Sequence, residues 1–128
     1  MRTASSNRLQ LVPTVADKNI MSANFVEIES IEHLDALFEK SFNAPVALLK
    51  HSNTCGISLH VYEQVAEVDG TVNVIVIQNH RPISNALAEK TGQVHQSPQA
   101  FVIKDGKTIY HATHYGIDPK KIEESLNS

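Results

Sequence analysis

Val46-Ala47-Leu48-Leu49-Lys50-His51-Ser52-Asn53-Thr54-Cys55-Gly56-Ile57-Ser58 reads as a buried strand, a polar turn and a helix start in one run. Val46 to Leu49 fit a central strand covered on both faces. Ile57, Val61, Val65 and Val68 then fall on one helical face,. Cys55, the only cysteine of the chain, stands at the junction. A strand-to-helix turn aims backbone N–H groups and the positive end of a helix dipole at that position. A thiol there is pushed toward thiolate, its reactive form. With one cysteine the chain can form a mixed disulfide with another molecule, but no disulfide within itself.

Working outward, Phe25-Val26-Glu27-Ile28 alternates like a short strand, and Ser30 is placed to cap a helix carrying Ile31, Leu34, Leu37, Phe38 and Phe42,. That helix is expected to end near Asn43, ahead of Pro45. Beyond Cys55, Asp69-Gly70 stops the second helix. Val72 to Gln78 is rich in β-branched residues and reads as a strand,. Pro82 opens a helix through Ile83, Ala86 and Leu87, which Gly92 ends. Gln99 to Ile103 and Lys107 to Ala112 flank Asp105-Gly106, a hairpin turn signal. Asp118 caps and Pro119 starts a last helix with Ile122 and Leu126. The order β-α-β-α-β-α-β-β-α predicts an α/β fold with a mixed central sheet and helices on both faces. Residues 24–128 are expected to form this one domain. Residues 1–23 carry few structural signals and are expected to be a disordered tail, or to lie upstream of a true start at Met21.

The chain has 128 residues, 41% hydrophobic and 20% charged, with a formal charge of −3. Those values suit a single globular domain and argue against a nucleic-acid or anionic-membrane surface. No apolar run approaches the ~18 residues of a membrane span. A lone cysteine excludes a disulfide scaffold and fits a reducing compartment, so a cytoplasmic location is expected.

Around Cys55, the residues Ser52, Asn53 and Thr54 are possible caps, and Lys50 and His51 bring positive charge to the strand end. Ser58 lies one helical turn on, where its hydroxyl can reach the sulfur. The bland alternative is a small buried apolar cysteine. Ser97-Pro98 stands just before the hairpin. If that bond is cis, the loop exposes backbone groups of Ser97 with which a substrate chain can pair. Otherwise the proline merely opens a strand. Seven histidines are present, but zinc needs about four convergent ligands. His111 and His114 should point to opposite faces of a strand, His95 reads as a lone loop residue, and His33 and His60 as solvated. No metal or other cofactor is expected. Cys–His hydrolysis, with His51 or His95 as base, lacks any sign of an oxyanion hole.

The assembled pattern resembles the thioredoxin superfamily, with C-x-x-S at a helix start and a loop proline ahead of a hairpin. Within it, residues 25–127 resemble the monothiol bacilliredoxin family, the YtxJ-like general stress proteins. The likeness is carried by Lys50 to Ser58, Arg81-Pro82-Ile83-Ser84-Asn85, Ser97-Pro98-Gln99 and His111-Ala112-Thr113-His114. It implies a thioredoxin-like fold and a stress-response role in removing bacillithiol, a small thiol, from mixed disulfides on cytosolic proteins. Cys55 would then be the attacking thiol, supported by Ser58. Thr54, Gly56 and a cis Ser97-Pro98 loop would face the substrate. Members of that family carry proline after the cysteine, where this chain has Gly56. Two other functions stay open at this point. Cys55-Gly56-Ile57-Ser58 is similar to the Cys-Gly-Phe-Ser of monothiol glutaredoxins, which implies an iron–sulfur carrier. A non-catalytic binding module on the same fold is the other.

Overall fold

The computed structural model describes residues 23–128. The expectation for residues 1–23 falls outside them, except that Ala23 already begins a strand. In chain order the elements are β1 (Ala23–Glu27), α1 (Ile31–Lys40), β2 (Val46–His51), α2 (Gly56–Val65), β3 (Gly70–Val76), α3 (Arg81–Thr91), β4 (Gln99–Lys104) and β5 (Lys107–Thr113). A 3-10 turn, His114–Gly116, then leads to α4 (Pro119–Leu126). This is the expected order.

The strands form one five-stranded sheet in the order β1-β3-β2-β4-β5. β3 runs parallel to β1 and β2, while β4 is antiparallel to β2 and β5. β2 is central and buried at every position. Its alternation divides the core. Ala47 and Leu49 face one side with Val61 and Val65 of α2 and Ile122 of α4. Val46 and Leu48 face the other with Leu34 and Leu37 of α1 and Ile83 and Leu87 of α3. Each fully buried Val, Leu or Ile contributes about 1.5–3 kcal/mol, so β2 is a firm platform for the turn that leaves it.

Local chemistry sets the helix ends. Ser30 Oγ accepts from His33 N at 3.0 Å, and Asp118 Oδ1 from Lys120 N at 2.9 Å. Gly92 closes α3 in the left-handed conformation, φ 72°,. Asp105 and Gly106 have φ of 53° and 74°, both positive, which suits a two-residue hairpin turn.

Several boundaries differ from expectation; β1 runs Ala23–Glu27, not Phe25 to Ile28. α1 stops at Lys40, so Phe42 leaves the helix face and lies over the hairpin turn. A Cβ on Gly106 would come within 3.0 Å of the Phe42 ring. Ser41, buried behind it, donates to the Phe38 carbonyl. Its Oγ accepts from Gly106 N at 2.9 Å and its carbonyl from Asp105 N at 2.9 Å. These bonds tie the hairpin to α1 and draw the chain out of the helix. α2 ends at Val65, with Val68 still fully buried beyond it. β3 runs from Gly70 to Val76, which frees Gln78 from the sheet. β2 continues past Leu49 to His51, because Lys50 and His51 pair with Ile75 and Val76 of β3.

Candidate functional site

The extension of β2 decides what surrounds Cys55. Lys50 and His51 do not both add charge beside the thiol. Successive strand residues face opposite sides of the sheet, and both side chains are buried. His51 packs against the Tyr62 ring at 4.8 Å and lines a cavity of about 310 Å³ with Phe25, Glu27 and Asn53. Burial lowers its pKa,. Lys50 goes to the α1–α3 side.

After His51 the chain turns through Ser52, Asn53 and Thr54. Gln78, just beyond β3, braces this turn at three points. Its Oε1 accepts from Asn53 N at 3.1 Å. Its Nε2 donates to Ser52 Oγ at 2.8 Å and to Thr54 Oγ1 at 3.2 Å. Nothing in the periodicity of β3 singles out Gln78. The only sequence signal is its place just past a β-branched run.

Cys55 is the N-cap residue of α2, with extended backbone at φ −104° and ψ 122°, and is partly exposed. Its thiol is held below the ordinary thiol value, first by the Ser58 amide. Burial works the other way, and the Ile57 amide and the Ser58 hydroxyl add smaller downward effects,. No acidic residue occupies the first turn of α2 to oppose a negative sulfur,.

Ser58 is fully buried. Its Oγ accepts from Ser52 N at 3.3 Å and lies 3.3 Å from Ser97 Oγ. It therefore joins the cysteine turn to the proline loop. The Ser97–Pro98 peptide is cis, the Pro98 carbonyl accepts from His114 N at 3.0 Å, and Pro98 is buried. Cys55, Thr54 and Ser97 line one cleft of about 360 Å³ together with Ser52, Ile77, Gln78, Arg81 and His95. Of the residues singled out in the sequence, Ser52, Thr54, Cys55, His95 and Ser97 share this cleft. Ser58 and Pro98 sit behind it.

Gly56 lies at the first turn of α2, exposed, and nothing stands within 4 Å of where its Cβ would be. The amides that lower the thiol pKa belong to Ser58 and Ile57, not to Gly56. Proline here therefore removes no donor the sulfur uses. The extended Cys55 backbone also suits a following proline. Gly56→Pro is expected to raise stability by about 0.5–1 kcal/mol and to leave the thiol titration nearly unchanged. Denaturant melts and a pH series of alkylation rates check the two parts.

His95 is not the lone loop residue its sequence context suggests. Its Nδ1 lies 3.2 Å from Lys50 Nζ and 3.1 Å from Ser84 Oγ. An ammonium can only donate, so Nδ1 accepts and the neutral ring carries its proton on Nε2. Burial pushes Lys50 down to about 8, with the Arg81 charge adding to the effect. His95 is lowered by burial, then by Lys50 and Arg81. Close by, fully buried Gln99 donates from Nε2 to His111 Nε2 at 2.9 Å and to the Val94 carbonyl at 3.0 Å. Burial and then Lys50 lower His111. His114 lies outside this cluster, opening the 3-10 turn at φ 53°.

Known proteins share this architecture. A thioredoxin-fold protein provisionally described as an oxidoreductase is 30% identical, with a TM-score of 0.70 over 79% of this chain and 92% of its own. A mutant thioredoxin from Halobacterium salinarum is 17% identical, with a TM-score of 0.61 over 81% and 88%. A thioredoxin from Trypanosoma brucei brucei is 16% identical, with a TM-score of 0.60 over 91% and 96%. The last two establish the fold. Among protein families, the monothiol bacilliredoxins match residues 26–122. Family and fold together support a redox thiol function. This chain, with its single thiol at the head of α2, belongs to the monothiol bacilliredoxin family.

Proposed function

We propose that Cys55 carries out monothiol thiol–disulfide exchange, lifting a low-molecular-weight thiol from mixed disulfides on client proteins. Family membership favours bacillithiol as that thiol and a cytoplasmic setting. One observation carries the reading. Cys55 is a partly exposed thiol at the start of α2, in a cleft beside the cis-proline loop, with local amides favouring its thiolate.

In the first step the Cys55 thiolate attacks the small-thiol sulfur of the client's mixed disulfide. The bond between that sulfur and the client breaks, and the client leaves as a thiolate that takes a proton from water. Cys55 now holds the small thiol. In the second step an external thiolate attacks the small-thiol sulfur and releases the Cys55 thiolate. The small thiol ends in a disulfide with that external thiol. Each step exchanges one disulfide for another, so no further oxidant or reductant enters. Ser58 takes no part in the exchange, because a hydroxyl does not displace a thiolate. It holds the two loops at the cleft and adds to the stabilisation of the sulfur. Ser97, on the cis-proline loop, offers backbone groups to the client chain.

Incubating the reduced protein with bacillithiol disulfide and weighing it tests the proposal. One bacillithiol mass should appear, on Cys55, and be removed by added thiol. If Cys55 reacts only after unfolding, the exchange mechanism fails.

A further inference from the structure

The cavity of about 310 Å³ beside His51 flanks the cysteine turn, and the exchange steps make no use of it. Ser52 and Thr54 line the Cys55 cleft, while Asn53 between them lines this cavity. Its aromatic wall is Phe25 and Tyr62, stacked at 4.3 Å with 17° between their planes, and His51 tilts against Tyr62. Glu27, exposed, lines the same space. Asn79 Nδ2 and His80 Nε2 reach its Oε2, at 3.3 and 3.6 Å, and its Oε1 has no partner among the described residues. His51 is 6% exposed, and its Nδ1 is buried without a hydrogen-bond partner. Such orphaned atoms are rare in folded proteins, and each asks for an explanation. Burial keeps the ring neutral, against smaller opposing effects of the Asn53 side chain and the Ser58 backbone,. Burial raises the Tyr62 phenol, which is neutral as well. Glu27 is therefore the one charge among the residues that line the cavity.

We propose that this cavity receives the guanidinium of a client arginine close to the modified cysteine, with Glu27 as its counter-charge and the Phe25–Tyr62 stack as its platform. The inference rests on the exchange reading and names the class of client: a protein with arginine near its mixed disulfide. The sign comes from Glu27, which a carboxylate or phosphate would meet as a like charge. The rings favour a cation over a neutral group, because the face of an aromatic ring attracts positive charge. A flat guanidinium stacks on such a face and forks to a carboxylate, whereas a compact ammonium lacks the fork. It also carries five N–H donors and no acceptor. After meeting Glu27 it has donors left for the lone pair of the neutral His51 ring. The volume is near the lower end of small-molecule sites, which span roughly 300–1,000 Å³, and suits one side chain. Asn53 stands two residues before Cys55, so the cavity adjoins the turn that holds the attacking sulfur. A client residue near the disulfide is brought there as Cys55 engages it, which favours a client side chain over a free amine. The bonds made and broken are those of the first exchange step. The arginine only positions the client.

Each test peptide carries one cysteine, joined by disulfide to mercaptoethanol, and one variable residue two to four places to either side. That residue is arginine, its uncharged isostere citrulline, or lysine. Peptide release by the full-length reduced protein is timed and divided by release by free mercaptoethanol, which removes intrinsic differences between the disulfides. At the placement that reaches the cavity, arginine should outrun citrulline about fivefold or more, with lysine between them. Glu27→Gln should remove most of that preference. Glu67→Gln, the same charge change just past the far end of α2, should not. Arginine and citrulline alike at every placement, or a preference that survives Glu27→Gln, overturn the arginine site and leave exchange at Cys55 standing. Lysine equal to arginine overturns the guanidinium assignment. Binding alone is read by NMR on the Cys55→Ser protein, with peptides whose cysteine is replaced by serine. The ring signals of Phe25 and Tyr62 should shift with the arginine peptide and not with the citrulline one, and signals that stay still with both overturn the site. If they move while the native protein releases none of the peptides, the cavity stands and the exchange reading falls.

Discussion

Cys55→Ser is expected to bring exchange to the uncatalysed background, a loss on the order of 10³-fold or more, because the only sulfur nucleophile is gone,. The fold should survive, since position 55 is a partly exposed helix cap and serine is a good residue there,. The pH dependence of the native protein is the sharper measurement. An ordinary thiol is only a few per cent thiolate at pH 7. The Ser58 and Ile57 amides lower the Cys55 value, so alkylation by iodoacetamide should reach half its maximum at a lower pH than in a cysteine peptide. The sign extends to stability. Between the folded and unfolded thiol values the unfolded chain binds more protons, so this group makes the fold more stable as pH rises through that window and less stable as it falls. A Cys55 that titrates and reacts like the free peptide would remove the basis of the exchange mechanism.

What could be read in the sequence was whatever depends on neighbours along the chain. The Ser30 and Asp118 caps, the Gly92 stop and the Asp105-Gly106 turn all act within a few residues, and each has its expected geometry. The β-branched run after Val72 could only be a strand, and the helix start at Cys55 followed from the apolar face of α2. The failures are of another kind. Lys50 and His51 look like surface residues in the sequence, yet β2 runs through them because Lys50 pairs with both β3 and β4 and His51 with β3. Phe42 keeps helical spacing in the sequence, whereas its ring belongs to the hairpin turn. His95 looks isolated in the sequence because its partners, Lys50 and Ser84, lie on two other elements. Gln78, which braces the cysteine turn from 24 and more residues away, has the same cause. Local signals thus located the thiol, while the charges around it exist only in the folded sheet.

Those charges underlie the second large effect. Lys50→Met is expected to stabilise the protein by about 2 kcal/mol at pH 7, since an unpaired buried cation is costly and a hydrophobic side chain of similar size relieves that cost. The size follows from linkage. Burial and the Arg81 charge bring Lys50 from 10.5 to about 8. That corresponds to roughly 3 kcal/mol, reduced to about 2 by screening from water in the adjoining cleft and by loss of the bond to His95. The sign is set by protons. Below pH 8 lysine is charged in both the folded and unfolded chains, and the native protein bears the whole penalty. Between pH 8 and 10.5 the folded lysine is neutral while the unfolded one still holds its proton, so native stability gains relative to the variant. The advantage of Lys50→Met should therefore be full below pH 8 and shrink steadily above it, as urea melts of both proteins across this range would show. His95 should take up its proton at higher pH in the variant, because one of the charges holding it down is gone. That change is visible in the titration of its ring protons by NMR. A variant no more stable than the native chain at pH 7, or an advantage that does not change with pH, would mean that the Lys50 ammonium carries no burial penalty in the fold.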